Sequence, residues 1–176
     1  MNIETLKSEL PDYAKDIRLN LGSVLSEEGA SDLNQKQILS IALASAYATR
    51  NRDVIDAVAH QANAELSHEE ISSVKTAATL MAMNNIYYRF THALEDQTYA
   101  TMPAKLRMTM MANPGIDKII FELSSLAVSA INGCGKCMNA HTQQIEKAGI
   151  SKVAVQSAIR IASVINATAL AREIAN

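Results

Sequence analysis

Leu33-Asn34-Gln35-Lys36-Gln37-Ile38-Leu39-Ser40-Ile41-Ala42-Leu43-Ala44-Ser45-Ala46-Tyr47-Ala48-Thr49 places Leu33, Gln37, Ile38, Ile41, Ala42 and Ser45 at helical spacing, so it reads as a long, mostly apolar helix. It has a counterpart further on. Setting Ser45-Ala46 against Ser129-Ala130 without gaps also aligns Leu39 with Leu123, Ser40 with Ser124, Ala64 with Ala148, Leu66 with Ile150, Ser67 with Ser151 and Ile71 with Val155. A long helix, a short helix, a capping serine and another long helix therefore occur twice. The chain reads as a duplicated helical unit, with one copy over residues 33–95 and the other over 117–174.

Composition agrees. Of 176 residues 48% are apolar, 19% charged and 4% aromatic, without tryptophan, a balance that suits close-packed helices better than aromatic-rich strands. The expectation is an all-α fold, a single domain of about eight helices over residues 1–176. Pro11-Asp12 opens a helix toward Leu25, and Gly29 to Asp32 is a turn. Asn51 to Ala64 is a shorter helix. Ser67-His68-Glu69-Glu70 is a capping box that starts another, running to about Leu94. Met102-Pro103 begins a short helix through Met111, Asn113-Pro114-Gly115 breaks the chain, and Asp117 to Ile131 is the next apolar helix. Gly149 ends the helix after the cysteines and Ser151 caps the last one.

A formal net charge of -2 with both signs interspersed leaves no basic stripe for phosphate, so nucleic acid is not an expected partner. The first ten residues lack the basic start and apolar run of a signal peptide, and no apolar stretch is read as approaching a membrane span. A cytoplasmic protein without a membrane partner is expected.

Chemistry is concentrated in Asn132-Gly133-Cys134-Gly135-Lys136-Cys137-Met138-Asn139-Ala140-His141, which contains both cysteines of the chain. The spacing allows two thiols to close a tight disulfide or to share a metal ion. With a helix from Lys136 to Lys147, Cys134 falls at the N-cap and Cys137 in the first turn. Free N–H groups, the helix dipole and the Lys136 ammonium there favour thiolate over thiol. Cys137 and His141 are i and i+4 on one face, a nucleophile beside a base, within reach of a direct or water-mediated hydrogen bond. Bland readings stand beside these: two small buried hydrophobes, or a zinc site of Cys134, Cys137, His141 and Glu122. Glu122 lies in the apolar run Ile119-Ile120-Phe121-Glu122-Leu123. It either faces solvent or faces inward, where burial demands a partner. His60, His68 and His92 receive no role, while Met102, Met108, Met110, Met111 and Tyr87-Tyr88-Arg89 read as packing rather than a substrate channel or binding patch.

The run Arg107-Met108 through Ala112-Asn113-Pro114-Gly115-Ile116-Asp117, then Phe121-Glu122-Leu123, Ser125 to Gly135, Cys137, His141 and Lys147-Ala148-Gly149, together with Met83-Asn84-Asn85-Ile86-Tyr87-Tyr88-Arg89-Phe90, resembles the alkyl hydroperoxide reductase D proteins of the carboxymuconolactone decarboxylase superfamily. The resemblance implies an all-helical fold built on a duplicated unit, a homotrimer and a thiol-dependent antioxidant activity. It places Cys137, Cys134, His141 and Glu122 on the family's functional positions. Lys136 stands where the family commonly carries histidine and supplies a fixed positive charge instead of a proton relay.

In the implied cycle Cys137, deprotonated with help from His141, attacks an alkyl or organic hydroperoxide, and Cys134 then closes the redox-active Cys134–Cys137 disulfide, with Glu122 handling protons near Cys134. Dihydrolipoamide on a lipoylated dehydrogenase-complex acyltransferase is the implied reductant. A peroxiredoxin of the alkyl hydroperoxide reductase C type is a further implied partner. No bound cofactor or metal is expected. Rival readings are an electron-carrying adaptor without peroxidase activity, a carboxymuconolactone decarboxylase-like enzyme and a zinc-binding oligomerisation module.

Overall fold

The computed structural model describes residues 1–175, and Asn176, the last position of the expected domain, lies outside them. The fold is all-α, as expected. Among the described residues there are ten α-helices and one turn of 3-10 helix, Asp12–Ala14. They are α1 (Ile3–Ser8), α2 (Lys15–Val24), α3 (Gln35–Thr49), α4 (Arg52–Glu65), α5 (His68–Ala93), α6 (Thr98–Thr101), α7 (Thr109–Ala112), α8 (Lys118–Ile131), α9 (Gly135–Lys147) and α10 (Lys152–Glu173).

The order of lengths repeats. Helices α3, α4 and α5 run 15, 14 and 26 residues, and α8, α9 and α10 run 14, 13 and 22. The capping serines predicted to correspond both cap: Ser67 accepts from the Glu70 N–H and Ser151 from the Ala154 N–H. Packing repeats as well. Helices α3 and α8 lie against each other, and each is flanked by both long helices, α5 and α10. In α3 every residue from Ile38 to Ala46 is buried, and in α8 every residue from Ile120 to Ser129. Burial on every side suits the small and apolar residues that dominate both stretches, with Ser40, Ser45, Glu122, Ser124, Ser125 and Ser129 the polar side chains enclosed among them.

Three expectations need correction. Helix α1 lies in the N-terminal ten residues, where no helix was expected; the Asn2 side chain caps it and Leu6 anchors it in the core. The short helix expected from Met102-Pro103 through Met111 forms only at its end, over Thr109 to Met111. The chain instead makes α6 before Met102 and α7 after Met108, with non-helical backbone between them and Lys105 at φ 51°. Neither short helix has a side-chain cap or a buried residue, so proline's helix-opening preference acts there without a packing face to support it. Thirdly, α10 is long and apolar enough to cross a membrane by length and composition, contrary to the expectation that no stretch approaches a span. In this fold Ala154, Ala158, Ile161, Ile165 and Ala169 of α10 pack into the shared core.

Candidate functional site

The turn between α8 and α9 creates the site. Gly133, at φ 69°, takes the left-handed conformation that a side chain resists, and reverses the chain after α8. The Cys134 N–H then donates to the Ser129 carbonyl at 3.0 Å, fixing the first cysteine to the end of α8. Cys134 is the N-cap of α9 as predicted, its sulfur accepting from the Cys137 N–H at 3.3 Å. The two sulfurs are bonded to each other, with Cα atoms 5.3 Å apart. Among the described residues no group of three or more His, Cys, Asp and Glu side chains is arranged to hold a metal ion.

Glu122 faces inward and is 7% exposed. Its partner is His141, itself 5% exposed, with 2.6 Å between Glu122 Oε2 and His141 Nδ1. At that distance Nδ1–H donates to the carboxylate, and this sets the tautomer: in the neutral ring Nε2 carries the free lone pair. Nε2 lies 3.2 Å from Met81 Sδ. Two sequence expectations change here. Glu122 meets His141, not Cys134, and in this disulfide-bonded form the imidazole bonds Glu122 and contacts Met81 rather than the Cys137 sulfur.

A cavity of about 140 Å³ opens onto this group, lined by Met81, Asn84 and Tyr88 of α5, Met111 of α7, and Lys136, Cys137, Ala140 and His141 of α9. Cys137, at 6% exposure, reaches it, whereas Cys134 is fully buried behind it. Lys136 sits at the rim with Nζ 5.3 Å from the centroid of the Tyr88 ring, a cation over an aromatic face. A second cavity, of about 280 Å³, reaches Glu122 from the other side between Lys118, Gln144 and Lys147. Ser124, the position where the resembled family often carries tryptophan, is fully buried and lines neither cavity.

Helix α5 supplies what the sequence reading passed over. Asn85 Nδ2 donates to Ser129 Oγ at 2.9 Å and Asn85 Oδ1 accepts from Asn132 Nδ2 at 3.0 Å, while Arg89 Nη1 donates to the Asn132 carbonyl at 2.6 Å. These contacts hold the end of α8 and so the cysteine turn. Tyr88 and Met111, expected as packing, form cavity wall, and Met102 and Met110, expected as core, are exposed. One signal was available. Adjacent asparagines inside a helix of alanine, leucine and methionine are poor helix formers and need partners when buried.

A duplicated all-helical domain whose second copy presents a cysteine disulfide at a helix start, beside a buried histidine–glutamate pair, defines a thiol-dependent redox enzyme. Comparison with known proteins narrows the class. The carboxymuconolactone decarboxylase family model matches residues 97–176. Proteins named alkyl hydroperoxide reductase AhpD are similar over nearly the whole chain. One from Coxiella burnetii is 56% identical over 167 residues, covering 95% of this chain and 94% of the relative. One from a Bradyrhizobium species is 51% identical over 175 residues, covering 99% and 95%. One from Brucella anthropi is 48% identical over 176 residues, covering 100% and 99%. The chain belongs to the AhpD family of the carboxymuconolactone decarboxylase superfamily.

Proposed function

We propose that this protein is a peroxidase that reduces alkyl hydroperoxides with electrons from dihydrolipoamide. The observation that carries the reading is the placement of Cys137 in an apolar cavity shared with His141, with Cys134 buried behind it and bonded to it. That asymmetry supports giving Cys137 the attacking role and Cys134 the resolving one. In the reduced enzyme the Cys137 thiolate, favoured by the α9 N-terminus and the nearby ammonium of Lys136, attacks the terminal oxygen of ROOH. A sulfur–oxygen bond forms, the oxygen–oxygen bond breaks, and the alkoxide leaves as ROH with a proton from His141, whose imidazolium is held by Glu122. The Cys134 thiolate then attacks the Cys137 sulfenic sulfur, forming the disulfide and releasing hydroxide, which is protonated to water. Dihydrolipoamide restores both thiols by exchange and becomes lipoamide. The net reaction is ROOH plus dihydrolipoamide giving ROH, water and lipoamide.

The reductant is delivered, on this reading, by a lipoylated dehydrogenase-complex acyltransferase, and a peroxiredoxin is a second electron acceptor. Assembly as a cytoplasmic homotrimer belongs to the same reading. Ile86, Phe90, Tyr99, Met102 and Met110, all exposed apolar side chains on α5 and the segment after it, support self-association.

The test is a coupled assay with cumene hydroperoxide, dihydrolipoamide, lipoamide dehydrogenase and NADH. Cysteine-dependent NADH loss is expected, with both Cys134→Ser and Cys137→Ser inactive in turnover. Activity that survives either substitution, or survives thiol alkylation as a decarboxylase would, overturns the dithiol cycle. A disulfide that dihydrolipoamide reduces while hydroperoxide goes unconsumed overturns the peroxidase reading in favour of an electron carrier.

A further inference from the structure

We infer that Asn85 is the positioning residue for disulfide closure: with Arg89 it holds the turn that carries Cys134, so that this sulfur stays aimed at Cys137 while the bond between them is open. The inference takes from the peroxidase reading above the sulfenic acid that Cys134 attacks.

Once the disulfide opens, the turn has little of its own to hold it. Gly133, at φ 69° and exposed, is a residue with many other conformations open to it. Backbone bonds run from the Gly133 and Cys134 N–H groups to the Ala130 and Ser129 carbonyls. The cap of α9 is a sulfur, a weak acceptor, 3.3 Å from the Cys137 N–H, and the same sulfur has to react.

Helix α5 makes up the difference. Asn85 is fully buried and uses both ends of its amide on this turn, donating to Ser129 Oγ at 2.9 Å and accepting from Asn132 Nδ2 at 3.0 Å. Arg89 donates to the Asn132 carbonyl at 2.6 Å and so fixes the peptide that enters Gly133. Side chain and carbonyl of Asn132 are thus both tied to α5, one residue before the flexible glycine.

The first copy of the duplicated unit supplies the comparison. The gapless match pairs Ser129 with Ser45, Asn85 with Ala169 and Asn132 with Ala48. There Ser45 Oγ donates back to the Ile41 carbonyl of its own helix, and an open groove of about 460 Å³ lies between Thr49, Arg50, Asn51, Ala169 and Glu173. The reversal from α3 to α4 still forms, with Arg50 left-handed at φ 61°. Its cap is an oxygen, Asn51 Oδ1 accepting from the Val54 N–H at 3.1 Å, and Asn51 Nδ2 also donates to Glu173 at 3.0 Å. A helix reversal in this fold therefore does not require a buried asparagine. The clamp is present in the copy whose capping residue is a reacting sulfur.

Geometry matters to closure in a way that it does not to the first step. The Cys134 thiolate attacks the Cys137 sulfenic sulfur, the sulfur–sulfur bond forms, the sulfur–oxygen bond breaks, and hydroxide leaves and is protonated to water. That attack needs the incoming sulfur aligned with the departing oxygen, so its rate follows where the turn puts Cys134. Attack of Cys137 on the hydroperoxide has no part for Cys134.

The experiment separates the two steps. Sulfenic acid formation is read in the Cys134→Ser background, with cumene hydroperoxide as oxidant and dimedone as trap. Closure is read in protein with both cysteines, from the share of Cys137 that dimedone captures in competition with Cys134. Asn85→Ala and Arg89→Leu are each expected to slow closure about fivefold to tenfold, on the scale of a lost hydrogen bond, with sulfenic acid formation unchanged. Asn85 Nδ2 also lies 3.9 Å from Met81 Sδ, which touches His141, and an effect carried by that contact would slow the first step. An equal fall in both steps overturns the assignment, as does unchanged closure. Should Asn85→Ala fail to fold by circular dichroism, Arg89→Leu, at an exposed side chain, decides by the same criteria. If the parent forms no sulfenic acid, the peroxidase reading falls, and closure is read instead from the equilibrium of the Cys134–Cys137 disulfide with glutathione. A disulfide about fivefold to tenfold less stable in the variants supports the clamp, and an equal constant overturns it.

Discussion

Glu122 and His141 illustrate how much one buried pair can fix. Each has less than a tenth of its surface exposed, so the carboxylate holds the imidazole in one tautomer and gives an imidazolium at that position a counter-charge. Glu122→Gln retains the shape and a hydrogen-bond acceptor for Nδ1–H but removes the charge. The expected result is a folded protein whose Cys137 oxidation is slowed by about ten- to a hundredfold, within the range spanned by lost acid–base assistance. Single-turnover kinetics checks this, and a rate unchanged across the pH range would remove the pair from the mechanism. The sequence made four of these residues legible because Cys134, Cys137 and His141 lie within one helical turn or two of each other and Glu122 interrupts an apolar run. It did not show which way Glu122 faces, nor that Met81, Asn84 and Asn85 join the site from α5. Those placements come from packing between helices remote in sequence, which local spacing does not encode.

At the level of elements, the best-read helices are those with side-chain caps. Asn34 and Gln37 form a capping box on α3, and Ser67 and Glu70 form one on α5. Glu70 does more than cap. Its carboxylate accepts from the Ser67 N–H at 2.7 Å and from Lys36 Nζ at 2.9 Å, tying the start of α5 to α3. The backbone bond from Ser67 chiefly, then Lys36, holds the Glu70 carboxyl below its ordinary range. The folded state therefore favours the ionised form. Its contribution is full above the ordinary carboxylate pKa of about 4.3 and is lost as pH falls through the lower folded value. Glu70→Ala is expected to cost about 0.5–1.5 kcal/mol at pH 7, and the difference from wild type should shrink in acid. Denaturant melts at pH 7 and pH 3 check both statements; a gap that widens in acid would contradict the sign. The segment from Met102 to Met111 was misread because Pro103 supplies an opening signal without any buried face or cap to sustain a helix. The opposite held for α1, whose short length hid a cap by Asn2 and a single anchor, Leu6.

Across the whole molecule, duplication supplies two symmetric frameworks and chemistry occupies one. The gapless match that pairs the halves sets Arg50, Asp53 and Ala57 against Cys134, Cys137 and His141. The first copy has put its Cys137 counterpart to structural use. Asp53 accepts from Arg172 Nη2 at 2.6 Å and from Nε at 3.2 Å, and Arg172 Nη1 also meets Glu9 at 3.1 Å. One arginine on α10, with 16% of its side chain exposed, thereby joins α4 to the residue that ends α1. A two-point bond to a mostly buried guanidinium contributes more than a surface pair, because its loss leaves part of a buried charge unpaired. Asp53→Ala is accordingly expected to destabilise the protein by about 1–2 kcal/mol, lowering the midpoint of thermal unfolding by a few degrees. Asp53 lines neither cavity beside Glu122 and His141, so hydroperoxide reduction below the transition should be unaffected. Calorimetry paired with the coupled assay separates the two effects. A folded Asp53→Ala protein with impaired turnover would mean that the first copy still acts on the site of the second; a loss confined to stability would establish it as scaffold.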